Sequence, residues 1–172
     1  MSKTAILVDG GFYRKRAAFL WGEHSPEETA DGLIRYCYKH LTEHHTKHDL
    51  YRIFYYDCPP ISKKMYHPLL GKTVDLGQKP QFKWMNDFLT ELKQKRKVAL
   101  RLGVLDDASS VYTLNYDTVK KLCSGSITRT DLTEANFIPT IVQKGVDMKI
   151  GIDIASLAYK KQVDQIVLIA GD

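Results

Sequence analysis

Short apolar runs that close on an aspartate constrain this chain more than any other feature. They are AILVD, ending at Asp9, RIFYYD, ending at Asp57, and IVLIAGD, ending at Asp172. Continuous runs of this kind, rich in β-branched and aromatic residues and bounded by Gly or Pro, read as strands buried on both faces. Aspartate is a poor strand residue, so its return at equivalent places is informative. Each acid alone also fits a turn: Asp9 before Gly10-Gly11, and Asp57 before Cys58-Pro59-Pro60.

The stretches between the runs carry helical signals. Ser25-Pro26-Glu27-Glu28 is a helix start, with a serine cap, proline at the first position and acids in the first turn. That helix is expected to run to about residue 45. Residues 82–97 place Trp84, Phe88, Leu89 and Leu92 at helical period, as do the apolar positions of residues 146–161. Strands are expected at residues 4–9, 51–57, 98–105 and 164–170, and a loop at 61–80. Residues 106–136 look like an insertion or hairpin, and 137–142 like strand or extended loop. Strands alternating with helices imply right-handed crossovers and a parallel sheet covered on both sides. In such a sheet the functional edge is where the strands end.

A length of 172 residues suits a single domain, and a formal charge of +5 fits a polyanionic partner without requiring one. The three cysteines, Cys37, Cys58 and Cys123, are odd in number and lack CxxC spacing. That argues against a disulfide framework or zinc site and for a reducing compartment. The apolar run from Ala5 to Val8 is too short for a signal peptide or a membrane span, so a cytoplasmic location is expected.

Asp147 adds to the strand-end acids. At roughly 100° per residue it falls near the centre of the stripe made by Ile150, Ile154, Leu157, Ala158 and Lys161. A carboxylate at that helix N-terminus would point to the same sheet edge, although it also fits a plain N-cap. Asp153 lies about a quarter-turn off the stripe and could flank a site there. Clustered carboxylates repel one another, and a hard divalent cation, Mg²⁺ or Mn²⁺, is what compensates for them. Such a metal activates water for phosphodiester hydrolysis and needs no serine or cysteine nucleophile. The chain has no G-x-S-x-G elbow.

Arg14, Lys15 and Arg16 follow the Gly-Gly turn, and Lys144 precedes Gly145. Arg14, Arg16 and Lys144 are candidates to grip phosphates, with a solvated charge run as the other reading. The charges at Lys93, Lys95, Arg96 and Lys97 read as plain surface. His40, His44 and His48, spaced i, i+4, i+8, are expected on one helix face with His45 beside them, but without the Glu of H-E-x-x-H they read as solvated. Gly10-Gly11 lacks the G-x-G-x-x-G spacing of a dinucleotide turn. Of Tyr55 and Tyr56, at least one is expected in the core.

The strings ILVDGGFYRKR, RIFYYDCPP, LRLGVL and VQKGVDMKIGIDIASLAYKKQVDQIVLIAGD, in this order, resemble the NYN domain family in its LabA-like branch. The likeness spans nearly the whole chain except residues 106–136. It implies a three-layer PIN-like, Rossmann-like α/β fold with a central mostly parallel sheet, in one domain over residues 1–172. It further implies a metal-dependent ribonuclease acting on RNA, single-stranded by expectation. By resemblance Asp9 matches the first-strand acid, Asp147 and Asp153 the two acids of the helix motif, and Asp172 the first Asp of a G-D-S-D-F motif. The family pattern continues beyond Asp172 with a further acid, a helix and a strand. The implied roles are Asp9, Asp147 and Asp172 as metal ligands and Asp153 beside them, with Mg²⁺ or Mn²⁺ as cofactor. A membrane partner is not expected, and self-association is left open. The rival readings are a non-catalytic RNA-binding or regulatory module that retains the acidic pocket, and a phosphohydrolase for a small phosphate ester.

Overall fold

The computed structural model describes residues 2–43 and 46–171. Its centre is a parallel sheet of four strands: β1 (Lys3–Asp9), β4 (Asp49–Asp57), β7 (Val98–Leu102) and β10 (Gln165–Ile169), in the order β10-β1-β4-β7. Val8 pairs with Ile169 on one side and Tyr55 on the other, and Tyr56 pairs with Arg101. The strand ends therefore lie level along one edge, as the sequence pattern predicts.

Helices cover both faces. Helices α1 (Gly10–Trp21), α2 (Pro26–Lys39) and α3 (Pro80–Gln94) bury Tyr13, Leu33, Cys37, Phe88 and Leu92 against Ile6, Val8, Ile53 and Tyr55. On the opposite face α5 (Val146–Tyr159) sets Ile150 and Leu157 on Ala5, Leu7, Phe54 and Tyr56. Period-two alternation along the strands sorts these two sets. Both Tyr55 and Tyr56 are fully buried, one in each layer. The α5 face is covered only in part: Leu168 on β10 and Met148 and Ile152 on α5 are exposed. Among the described residues no helix is long and apolar enough to cross a membrane.

Helix α2 starts as expected, with a capping box between Ser25 and Glu28 and Pro26 in the first turn. It ends at Lys39, short of the expected end near residue 45. His40 caps it and His48 follows the short strand β3 (Thr46–Lys47), which pairs with β2 (Thr42–Glu43). The histidines thus do not share a helix face, and His44 and His45 lie outside the described residues. The expected loop at 61–80 holds a hairpin of β5 (Lys64–His67) and β6 (Lys72–Asp75).

The predicted strand 98–105 is broken at Gly103. A Cβ there would lie 2.6 Å from the Lys144 carbonyl oxygen, 2.9 Å from Val146 Cγ2 and 3.0 Å from Cys58 Sγ. Only glycine lets the chain leave the sheet beside the start of α5. It continues as β8 (Val104–Leu114), antiparallel to β9 (Phe137–Lys144), with α4 (Tyr116–Cys123) between them. Residues 106–136 thus supply most of the first strand of this two-stranded ribbon and the segment that joins it to the second.

Candidate functional site

Strand β1 delivers Asp9 to the carboxyl edge, where it caps α1: the Phe12 amide donates to Asp9 Oδ1 at 3.0 Å. Asp9 is therefore a helix cap and not the Asp-Gly turn residue the sequence also allows, and the cap engages one carboxylate oxygen. The neighbouring strand ends in Asp57, which is only 2% exposed. Its carboxylate accepts from the Cys58 amide at 2.8 Å and the Tyr55 hydroxyl at 3.0 Å, and pairs with the Arg14 guanidinium at 3.0 Å. Burial pushes the Asp57 carboxyl above its ordinary range, Arg14 and the two other donors pull it back, and the nearby charge of Asp9 adds to the rise. Burial, then the charge of Asp57, holds Tyr55 far above the usual tyrosine range, so its hydroxyl remains a donor.

Gly10 makes this arrangement possible. A Cβ on it would sit 2.4 Å from the Tyr55 hydroxyl and 2.5 Å from Asp57 Oδ2. The glycine after Asp9 is therefore needed for a close approach of α1 to the end of β4.

Helix α5 runs back against the strands, so its N-terminus belongs to the same edge. Val146 abuts Gly103, and Lys149 Nζ donates to the Leu102 carbonyl at 2.8 Å. Asp147, in the first turn, is exposed and makes no hydrogen bond or ion pair among the described residues. Its phase matches the buried stripe, yet it is not buried, because the first turn starts level with the end of β7 and overhangs the sheet.

Asp153 is placed differently from the other acids. It accepts from the Tyr56 hydroxyl at 2.8 Å and from Arg101 Nε at 3.0 Å, with Arg101 set over the Phe54 ring. It ties α5 to β4 and β7. Burial and this bond hold Tyr56 well above the usual tyrosine range.

The candidate cations also find partners. Arg14 is committed to Asp57 and to Met85 Sδ, Arg16 is exposed over Phe19, and Lys144 pairs with Asp106 at 2.6 Å. Asp172 lies outside the described residues. Among those described, no group of three or more His, Cys, Asp or Glu side chains is close enough together to hold a metal. The donor chemistry nonetheless suits a hard cation: Mg²⁺ needs only one or two protein carboxylates, completing its shell with water and phosphate oxygens. The free oxygen of Asp9 and both oxygens of Asp147 are of that kind.

The Arg14–Asp57–Tyr55 network is not legible from spacing. Its ion pair joins residues 43 apart in sequence, and only the strand-end position of Asp57 pointed to it. Comparison of the chain with protein-family models, with curated proteins and with solved structures finds no match in any of the three.

Proposed function

We propose that this chain is a PIN-like domain of the NYN kind that hydrolyses RNA phosphodiester bonds with the help of Mg²⁺ or Mn²⁺. One observation carries the reading. Two carboxylates with unengaged oxygens, Asp9 and Asp147, belong to the carboxyl edge of a parallel sheet, where α/β folds place their chemistry. Asp9, Asp147 and Asp172 would hold the cation. Bound there, the cation would lower the pKa of a water molecule and offset charge developing on the phosphate. Asp57 fixes Arg14 beside the site by an ion pair in which Asp57 is buried and the Arg14 side chain is a quarter exposed. Asp153 sets the seat of α5 and so the position of Asp147. A non-catalytic RNA-binding module is the second reading. It is favoured by the engagement of Asp153 and Lys144 in ion pairs inside the fold.

The test is Asp147→Asn, assayed for Mn²⁺-dependent cleavage of RNA in a preparation free of contaminating nuclease. Gly145, not Asp147, is the N-cap of α5, and Asp147 makes no hydrogen bond or ion pair among the described residues, so the melting temperature should stay nearly the same while cleavage is lost. Full cleavage by the variant removes Asp147 from the ligand set. Absence of metal-dependent cleavage by the unaltered protein favours the binding module.

A further inference from the structure

A cleft of about 1450 Å³ runs from the α1–α2 face, past Asp57, to the β8–β9 ribbon. That exceeds the roughly 300–1,000 Å³ that encloses one small ligand, and it suits a length of polymer.

The walls of the cleft are aromatic. The chain has two tryptophans, and both line it. The Trp84 indole lies parallel to Phe88, with centroids 5.2 Å apart, and donates to the His24 carbonyl at 3.0 Å, so its plane is fixed. Trp21 is about half exposed and meets Tyr36 edge-on. At the ribbon end His67 packs on Tyr112 and Phe137, with centroids 4.6 and 5.2 Å away.

The charges in the cleft are unevenly engaged. Lys15, Arg35, Lys39 and Lys79 line it with no ion pair among the described residues. Two of the lining acids are already held, Asp57 by Arg14 and Glu28 by the Ser25 cap. Glu23 and Glu134 remain, so the unengaged charge in the cleft is positive.

We propose that this cleft is a tract for single-stranded RNA. Bases would stack on Trp84 and Trp21, phosphates would lie against Lys15, Arg35 and Lys39, and the ribbon would form the far wall. Fixed ring faces with interleaved cations are what unpaired bases require, and a duplex hides its base faces. An apolar partner would leave Lys15, Arg35, Lys39 and Lys79 with only Glu23, Glu28 and Glu134 to balance them. The choice of RNA rests on the reading above, but the tract does not depend on cleavage. Residues 106–136, which carry no family resemblance, would thereby act in substrate selection through Tyr112.

The experiment is titration of a 12-nucleotide oligoadenosine in EDTA, read by intrinsic tryptophan fluorescence and by anisotropy of a labelled strand. Because both tryptophans are in the cleft, binding should quench most of the protein's emission. Affinity should fall steeply with salt by counterion release. Trp21→Ala, at an exposed position, should weaken binding about tenfold, the loss of one stacked base. Arg35→Glu with Lys39→Glu should weaken it further and flatten the salt slope. A duplex of equal length should bind more weakly than the single strand. Binding that leaves tryptophan emission unchanged, or that is the same for Trp21→Ala and the charge reversals, overturns the proposal, as does preference for the duplex. Binding in EDTA and cleavage in Mn²⁺ are read separately on the unaltered protein. Normal binding without any cleavage therefore counts against the nuclease reading and not against the tract.

Discussion

Gly10→Ala sets local propensity against tertiary contact. In a helix, alanine is favoured over glycine by up to about 1 kcal/mol, so propensity alone predicts a more stable protein. The fold predicts the reverse. A Cβ at position 10 would meet Tyr55 Cζ and Oη at 2.4 Å and Asp57 Oδ2 at 2.5 Å. Neither neighbour has room to retreat, since Tyr55 is 0% and Asp57 2% exposed, and the Tyr55 ring is wedged edge-on against Phe88. Overpacking of a dense core costs about 1–3 kcal/mol. Displacing the Tyr55 hydroxyl from Asp57 leaves a buried donor short of a partner, at about another 1–3 kcal/mol. The net loss after the propensity gain is about 3 kcal/mol. In a domain of this size that lowers the melting temperature by roughly 10 °C. Gly151→Ala is the control: it lies within α5 with nothing within 4 Å of its Cβ, and it should raise stability by up to about 1 kcal/mol. Circular dichroism melts and urea titrations of the two variants measure both effects. If Gly10→Ala melts at or above the unaltered protein while Gly151→Ala gains, the close approach of α1 to the end of β4 is refuted.

Asp153→Ala should destabilise by about 1–3 kcal/mol, because it strands the Tyr56 hydroxyl and one face of Arg101. In a double-mutant cycle with Arg101→Ala the coupling should fall near the lower end of about 0.5–3 kcal/mol, since Arg101 is 45% exposed; additive losses would show that the pair does not hold α5. For Asp106, the Lys144 ammonium and the hydroxyl and amide of Ser109 lower the carboxyl from 3.8 to about 2. A depressed carboxyl stabilises the fold above its unfolded value, and that contribution fades as pH falls through about 2. Carboxyl NMR should therefore show Asp106 titrating near 2 and returning toward 3.8 in Lys144→Ala; an unchanged titration in that variant refutes the clamp at the base of the ribbon.

Much of the frame was readable from local rules. The buried strands announced themselves as uninterrupted β-branched and aromatic runs, and α2 by a capping box whose hydrogen bonds all lie within four residues. The parallel arrangement followed from alternation alone, because a strand returned by a helix can lie only one way. The placing of acids at strand ends required nothing further, and it led to Asp9 and Asp57. Helical phase puts Asp147 in the buried stripe, yet it is exposed, because phase does not reveal how far the sheet extends beneath a helix. Likewise Asp153 looked badly aimed for a site at the edge, and nothing local showed that Tyr56 and Arg101 would claim it.

What the sequence by itself determined is the four strands of the central sheet, the helices α2, α3 and α5, and the edge at which Asp9 and Asp57 end their strands, since all depend on periodicity and on neighbours a few residues apart. The tertiary structure decided which carboxylates are free and which are engaged. Asp57 is neutralised by an arginine 43 residues away, Asp153 by one 52 residues away, and Asp106 by Lys144, while Asp147 is left open. It also turned residues 104–114 out of the sheet at Gly103 and so built the wall of the cleft. The physical reason is the same in each case. Backbone preference is local, but the partner of a charge and the room beside a glycine are set by chain segments that meet only when the fold closes.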